Sequence, residues 1–271
     1  MTQFILHYHN QNLLTFSGHL EVLRKLLFRI LGVTVCIAVI IFSLKNETFR
    51  ILLAPSEWDF VTYRKIEYVM KLVVTDFHFD SFYVDLIATD LSSQFMTHLS
   101  TSLYLGLLGA SPYILYELFR FVSPALYDSE KKYSIRMIAI VYLLFMLGVL
   151  MSYYVLFPIS FHFLGTYSVS EKIHSTITLD SYISTFVTLT LLMGVVFQLP
   201  VISYFLGRMG IVDAKLMSYY RKHAFLIIMF VAAVITPPDL MTLILVTIPL
   251  YLLYEVSIRV VKIANKQIKT D

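Results

Sequence analysis

Charge is scarce in this 271-residue chain: Asp, Glu, Lys and Arg make up 14% of it, against about a quarter in a soluble domain. With a mean hydropathy of +0.75, that deficit excludes an ordinary water-facing globule. A single cysteine, Cys36, excludes a disulfide framework and a cysteine metal site. Set inside the first apolar run, it is expected to act as a small buried hydrophobe. The first twenty residues carry three histidines and no arginine, and no short apolar core there leads to a small-residue cleavage site, so no cleaved signal or transit peptide is expected. Nine Gly and eight Pro stand beside 21 Phe and 19 Tyr, a composition that an A+T-rich coding sequence favours, as in an organelle-encoded gene or an A+T-rich bacterium. Catalytic motifs are missing too. There is no His-Glu-x-x-His, no Walker A loop and no dinucleotide fingerprint. Gly109-Ala110-Ser111-Pro112 has the Gly-x-Ser of a membrane-embedded protease, but a serine nucleophile needs a base, and His223 lies at a span's edge. No enzyme activity, cofactor, metal or nucleic-acid partner is expected.

Long apolar runs fill the chain instead, at 26–44, 99–119, 135–157, 182–206, 224–235 and 240–258. Five are long enough for a bilayer, and a sixth is coupled to them through Thr236-Pro237-Pro238-Asp239. Each reads as a helix, because a lone strand cannot satisfy its backbone in lipid. The expected fold is therefore an all-α integral membrane protein, one domain over 1–271 with six transmembrane helices, the last two short. The 12-residue run 224–235 reaches only about 18 Å across a hydrocarbon layer of about 30 Å.

Basic residues set the expected orientation. Fifteen of the 21 Lys and Arg fall in the N-terminal segment, the second and fourth connections and the C-terminal tail, which places both termini in the cytoplasm or its matrix or stromal equivalent. The outer loop 45–90 carries eight acids against five bases. Its acids are scattered rather than clustered at ligand spacing, so it is expected to be a folded cap on the bundle.

Polar groups at membrane depth are the functional candidates, because they are costly there. Glu117 and Glu255 lie near span ends, where a carboxylate can reach the interface or a base. Gln198 lies in the body of its span before Pro200 and can hydrogen-bond another helix of this chain or a partner's helix. His7 and His9 read as solvated residues, and His162 and His174 as interfacial polar groups. The segment Phe121-Val-Ser-Pro124-Ala-Leu-Tyr127-Asp-Ser-Glu130 sets an acid in a basic loop. Glu130, with Asp128 and Glu21, forms a candidate surface for a cationic peptide.

The pattern resembles the TatC family, the subunit of the twin-arginine (Sec-independent) protein translocase. The residues that carry the likeness are His19-Leu20-x-x-Leu23-Arg24, Ala54-Pro55, Ala88-Thr89-Asp90, Ser111-Pro112-x-x-x-Tyr116, Phe121-x-x-Pro124-x-Leu126-Tyr127-x-x-Glu130, Phe157-Pro158, Phe197-Gln198-x-Pro200, Thr236-Pro237-Pro238-Asp239 and Ile248-Pro249-x-x-x-x-Tyr254-Glu255. The resemblance implies a glove-shaped six-helix bundle in a bacterial cytoplasmic, mitochondrial inner or thylakoid membrane. Its cytoplasmic face would bind a twin-arginine signal peptide through Glu130, Glu21, Arg24, Phe121 and Tyr127. It also implies single-span TatA/TatB-type partners docking at Gln198, Pro200, Thr236 and Asp239, several copies of the chain in the working complex, and export of folded proteins on the proton-motive force. Pro55, Pro112, Pro124, Pro237, Pro238, Pro249 and Glu255 take structural roles. In two places the chain departs from the pattern. The family's N-terminal acid stands one position early, at Glu21, with Val22 in its usual place; one helical residue turns a side chain by about 100°. Leu243 replaces a polar residue after the Thr-Pro-Pro-Asp motif. Recognition of the signal is therefore expected to rest mainly on Glu130, and partner docking on Gln198. The rival readings are a small-solute secondary carrier, which would need a midplane site and usually inverted repeats, and an insertase-like scaffold.

Overall fold

A computed structural model describes residues 16–72, 82, 84–122, 131–170 and 176–268, and among these the chain is mostly helical. In order come α1 (Phe16–Ser43), α2 (Lys45–Leu53), a 3-10 turn (Ala54–Ser56), α3 (Val61–Lys71), β1 (Leu86–Ile87), α4 (Ser93–Gly109), α5 (Ser111–Val122) and α6 (Lys131–Met151). A π-turn (Ser152–Leu156), α7 (Phe157–Thr166), β2 (Ile177–Thr178), α8 (Leu179–Val196), α9 (Leu199–Arg208), α10 (Ala214–Tyr219), α11 (Arg221–Ile235) and α12 (Leu240–Ile268) complete it.

Four helical stretches, Leu20–Ser43, Met137–Thr166, Leu179–Arg208 and Leu240–Lys266, are each long and apolar enough to cross a membrane. The run at 99–119 is shared between α4 and α5, which part at Ala110; Pro112 has no N–H for the carbonyl four residues back. α11 has 15 residues, about 22 Å of helix. α12 corrects the expectation of two short final helices. It has 29 residues, because the chain stays helical beyond the apolar run, with Val261 and Ala264 fully buried among basic neighbours. Cys36 is also corrected. It is exposed, since α1 lies at the bundle's edge and turns Phe28, Leu31, Val35 and Val39 outward. A small parallel pairing, Leu86 with Ile177 and Ile87 with Thr178, went unsignalled in the sequence because two residues are too few to show alternation.

Small residues set the helix spacing. At Gly148 on α6 a Cβ would lie 2.5 Å from the Met193 carbonyl oxygen of α8, and at Gly194 on α8 it would lie 2.6 Å from the Phe145 ring of α6. Each helix therefore presents a bare backbone to the other, the close approach that lets dispersion forces hold helices together in lipid. The α1–α4 crossing uses Gly106, whose Cβ would meet Ala38 Cβ at 2.7 Å. α9 ends in a Schellman motif, with Ile211 N donating to Leu206 O and Gly210 N to Gly207 O. Gly210, at φ 72°, supplies the left-handed residue that the motif requires.

The largest core is aromatic and gathers under the 45–90 loop. Phe157 meets Tyr182 and Phe186 edge-on at 5.0 Å each, and Phe161 meets Tyr182 at 5.0 Å. Phenols fasten the loop to the bundle: Tyr63 Oη lies 2.9 Å from both Pro55 O and Pro158 O and shares its one proton between them, Tyr182 donates to Leu52 O at 2.8 Å and Tyr153 to Ile51 O at 2.8 Å. Burial holds the Tyr63 phenol above its ordinary pKa. His162 is half-buried among these rings, edge-on to Phe82 at 4.6 Å; its position reflects aromatic packing as much as the interface. The π-turn has a local cause. Pro158 lacks the N–H that the Tyr154 carbonyl would accept, and Thr62 Oγ1 donates to that carbonyl in its place. Thr62→Val keeps the shape and removes the donor. Its expected cost is about 1–3 kcal/mol, read as a lower melting temperature in detergent, while Thr62→Ser stays close to the native value.

Candidate functional site

At one end of the bundle α1 runs antiparallel to α4 and α5. Gly106 lies against Thr34 and Ala38, Gly109 against Ile37, and Glu117 against Arg29. Continued by one turn, this register brings Lys25 level with Phe121, with Glu21 one turn further out. Glu21 accepts an ion pair from Lys25 at 2.8 Å, and both side chains are more than half exposed. Val22 and Arg24 are exposed as well, and Phe121 is partly so. Pro124, Tyr127, Asp128 and Glu130 lie outside the described residues, as do His7, His9 and His174.

Glu117 is 6% exposed. It accepts from the Tyr113 hydroxyl at 2.9 Å and faces Arg29 Nη1 at 3.6 Å. The buried carboxylate thus has a donor on its own helix and a cation on α1, whose guanidinium is half exposed. Opposite charge and a hydrogen bond are what permit a carboxylate at this depth. Glu255 is held in the same way. Arg221 grips it with two nitrogens, Nε to Oε1 at 2.7 Å and Nη2 to Oε2 at 3.0 Å. This bidentate fork ties the start of α11 to α12. Tyr254 donates to Met217 O at 2.8 Å and Asn265 to Asp213 Oδ1 at 3.0 Å, fastening α10 to the same helix. Arg29 and Arg221 were not singled out from sequence. The signal was available, because each stands at the margin of an apolar run, where a long cationic side chain can reach a membrane-depth acid.

Gln198 occupies the turn between α8 and α9, with Pro200 buried in the first turn of α9. Its Nε2 donates to Val141 O of α6 at 3.0 Å, so the amide serves a helix–helix contact within this chain. The Oε1 atom accepts no bond among the described residues and is available to a second partner. In the motif after α11, Thr236 Oγ1 donates back to Ala232 O at 2.9 Å, closing that helix. Asp239 Oδ1 accepts from Thr242 N at 2.7 Å, capping α12. Asp239 N donates to Pro237 O at 2.7 Å, making a tight corner around the exposed Pro238. Asp239 Oδ2 and Thr242 Oγ1 are buried without a partner. Leu243, where a polar residue was noted as missing, is half-buried beside the main core. Pro55 is buried in its 3-10 turn, Pro112 is exposed in the first turn of α5, and Pro249 is buried inside α12. No group of three His, Cys, Asp or Glu placed to hold a metal ion occurs among the described residues.

These placements yield two separated regions rather than one cleft: an acid- and base-bearing end formed by α1 and α5, and a polar break in the α8–α9 span. Among the described residues neither contains a nucleophile with its base. The comparisons with known proteins agree with a transport component. A family model described as Sec-independent protein translocase protein (TatC) matches residues 18–249. The TatC protein of Blattabacterium sp. subsp. Periplaneta americana is 36% identical over 252 residues, 92% of this chain and 95% of its own length. That of Carboxydothermus hydrogenoformans is 31% identical over 92% of this chain and 93% of its own length. TatCy of Bacillus subtilis is 37% identical over 67% of this chain and 72% of its own. A crystal structure of the twin-arginine translocase receptor TatC superposes with a TM-score of 0.72 at 30% identity, covering 91% of this chain and 99% of that one. An apolar helical bundle, matched by the family model over residues 18–249 and by the Blattabacterium protein over 92% of this chain, belongs to the TatC family of Sec-independent protein translocase subunits, a family of multi-pass membrane proteins and not of enzymes.

Proposed function

We propose that this chain is the receptor of a twin-arginine translocase. In this reading it forms a six-span glove with both termini on the cytoplasmic side. α4 with α5 makes the second span and α11 the fifth, each shorter or more broken than its neighbours and sheltered by them. A signal peptide with paired arginines binds at the α1–α5 end, where Glu130 is the principal acid and Glu21, Arg24, Phe121 and Tyr127 flank it. Folded cargo then crosses with TatA/TatB-type single-span partners, driven by the proton-motive force, and several copies of the chain work together. The observation that carries this reading is the match to a solved twin-arginine receptor over 99% of that chain. Affinity capture in mild detergent tests it. Precursors with paired arginines and single-span membrane proteins should co-purify; recovery of neither, with uptake of a small ion by the reconstituted protein, would favour a solute carrier.

Gln198 is the proposed docking point for a partner's span, because its Oε1 accepts no bond among the described residues while its Nε2 is anchored to Val141. Gln198→Leu removes both bonds. Disulfide scanning should then show loss of contact between α9 and a TatA-like helix; contacts that persist unchanged would remove Gln198 from the interface. Buried hydrogen bonds of this kind contribute about 0.6–2 kcal/mol in membranes, enough to lower crosslinking severalfold.

A further inference from the structure

Where α1 gives way to α2, and the chain enters α4, lies an open pocket of about 530 Å³ lined by Lys45, Asp90, Gln94 and His98 together with Leu91 and Phe95. Lys45 and Asp90 are exposed, and neither makes an ion pair among the described residues. The floor is the His98 imidazole, stacked on Phe42 at 4.2 Å, its Nε2 buried without a hydrogen bond. A cation and an anion, unpaired and facing one cavity, complement a ligand that carries both charges. From Leu91 at this pocket an apolar row continues along α4 at four-residue intervals, Phe95, Leu99, Leu103 and Leu107, all exposed. Successive members are neighbours on the helix surface, the row winding round the helix by about 40° a step, and in the proposed topology α4 leads into the membrane.

We propose that the pocket holds the headgroup of a phospholipid bearing a phosphate and a primary amine, with an acyl chain lying down the α4 stripe. Lys45 meets the phosphate, Asp90 accepts the ammonium hydrogens, and Gln94 supplies an amide to the remaining oxygens. The stripe selects a lipid over a free zwitterion, because a soluble molecule gains nothing from five exposed apolar side chains. It also selects a lipid over a partner's span, since helices associate in lipid through small residues that let backbones approach, and these are Leu and Phe. Asp90 selects against a purely anionic headgroup, which it would repel.

Native mass spectrometry of the full chain in mild detergent tests this with phosphatidylethanolamine, phosphatidylglycerol and phosphatidylcholine of identical tails. The ethanolamine lipid should be retained about fivefold better than the glycerol lipid, the effect of one favourable charge contact at a membrane surface. Asp90→Asn should abolish that preference, and Lys45→Gln should weaken all three lipids. Both positions are exposed, so the variants retain the fold, which a melting curve verifies. Soluble phosphoethanolamine should not compete. Equal retention of the three lipids, a preference that survives Asp90→Asn, or competition by phosphoethanolamine at lipid-like concentration would each overturn the proposal.

Discussion

Gly148→Val is expected to lose the native bundle. The position has no room for even a methyl group: a Cβ would sit 2.5 Å from the Met193 carbonyl oxygen, 2.9 Å from its carbonyl carbon and 3.0 Å from the Phe197 ring. Two of those three atoms are backbone, so no rotamer change relieves the clash, and α6 must move away from α8. That movement spreads. Phe145, one turn from Gly148, rests on Gly194, and Val141, two turns away, receives the Gln198 amide, so one shift strains three contacts along the same seam. Overpacking in a relaxable core costs about 1–3 kcal/mol, and here the neighbour cannot relax. The expected result is a protein that no longer elutes as a monodisperse peak in detergent, or melts far below the native chain. Gly32→Val on α1, where nothing lies within 4 Å of the added atom, provides the contrast and should behave as native. A Gly148→Val protein with a native melting curve would show that the α6–α8 spacing is not set by this glycine.

The helical, membrane-embedded character of the chain was legible because hydropathy acts locally: an apolar run of twenty residues has few other fates. What hydropathy reports, however, is where lipid begins and ends, and helices do not stop there. α12 continues past Ile258 because Val261 and Ala264 find a dry surface at α9 and α10, next to Gly207, a contact between segments some fifty residues apart that no window of the sequence contains. Cys36 was misplaced for the opposite reason. Mid-span position speaks of depth in the bilayer and not of which way a side chain points, and α1 is uncovered on most of its faces. The pairing of Glu117 with Arg29 depends on the register of α1 against α4, where Gly106 and Gly109 lie on Ala38 and Ile37, and that of Glu255 with Arg221 on how α11 folds back on α12. Those glycines looked like ordinary small residues in the sequence. For the candidate site, the residue types were legible from the likeness to the family and the partners were not. Gln198 was open to a helix of this chain or of another, and the structure occupies its donor with Val141 while leaving its acceptor open.

Glu130→Ala is expected to lower the affinity for a twin-arginine signal peptide by about ten- to a hundredfold, the loss of one charged hydrogen bond of roughly 1.5–3 kcal/mol. The chain should still insert and fold, because Glu130 stands in a charged stretch of sequence between the apolar runs 99–119 and 135–157. The guanidinium presents a planar fork of donors that a carboxylate answers with two parallel bonds, whereas an ammonium offers a single point of charge. A Lys-Lys peptide should therefore bind the native protein weakly, and replacing Glu130 should cost it much less, so that the two changes together fall short of their sum. Glu21 sets the scale for comparison. Its carboxylate is already paired with Lys25 at 2.8 Å and sits in solvent, and exposed pairs of this kind are worth about 0–1 kcal/mol. Glu21→Gln should accordingly reduce binding only a few fold, and an effect as large as that of Glu130→Ala would shift the recognition centre to α1. Fluorescence anisotropy with a labelled signal peptide, read at low and at physiological salt, separates the cases. A diffuse attraction between a cationic tag and an acidic surface fades as ionic strength rises, while a bidentate contact at Glu130 retains most of its discrimination between arginine and lysine. Equal affinity of the native protein and Glu130→Ala for the Arg-Arg peptide would remove Glu130 from the binding site.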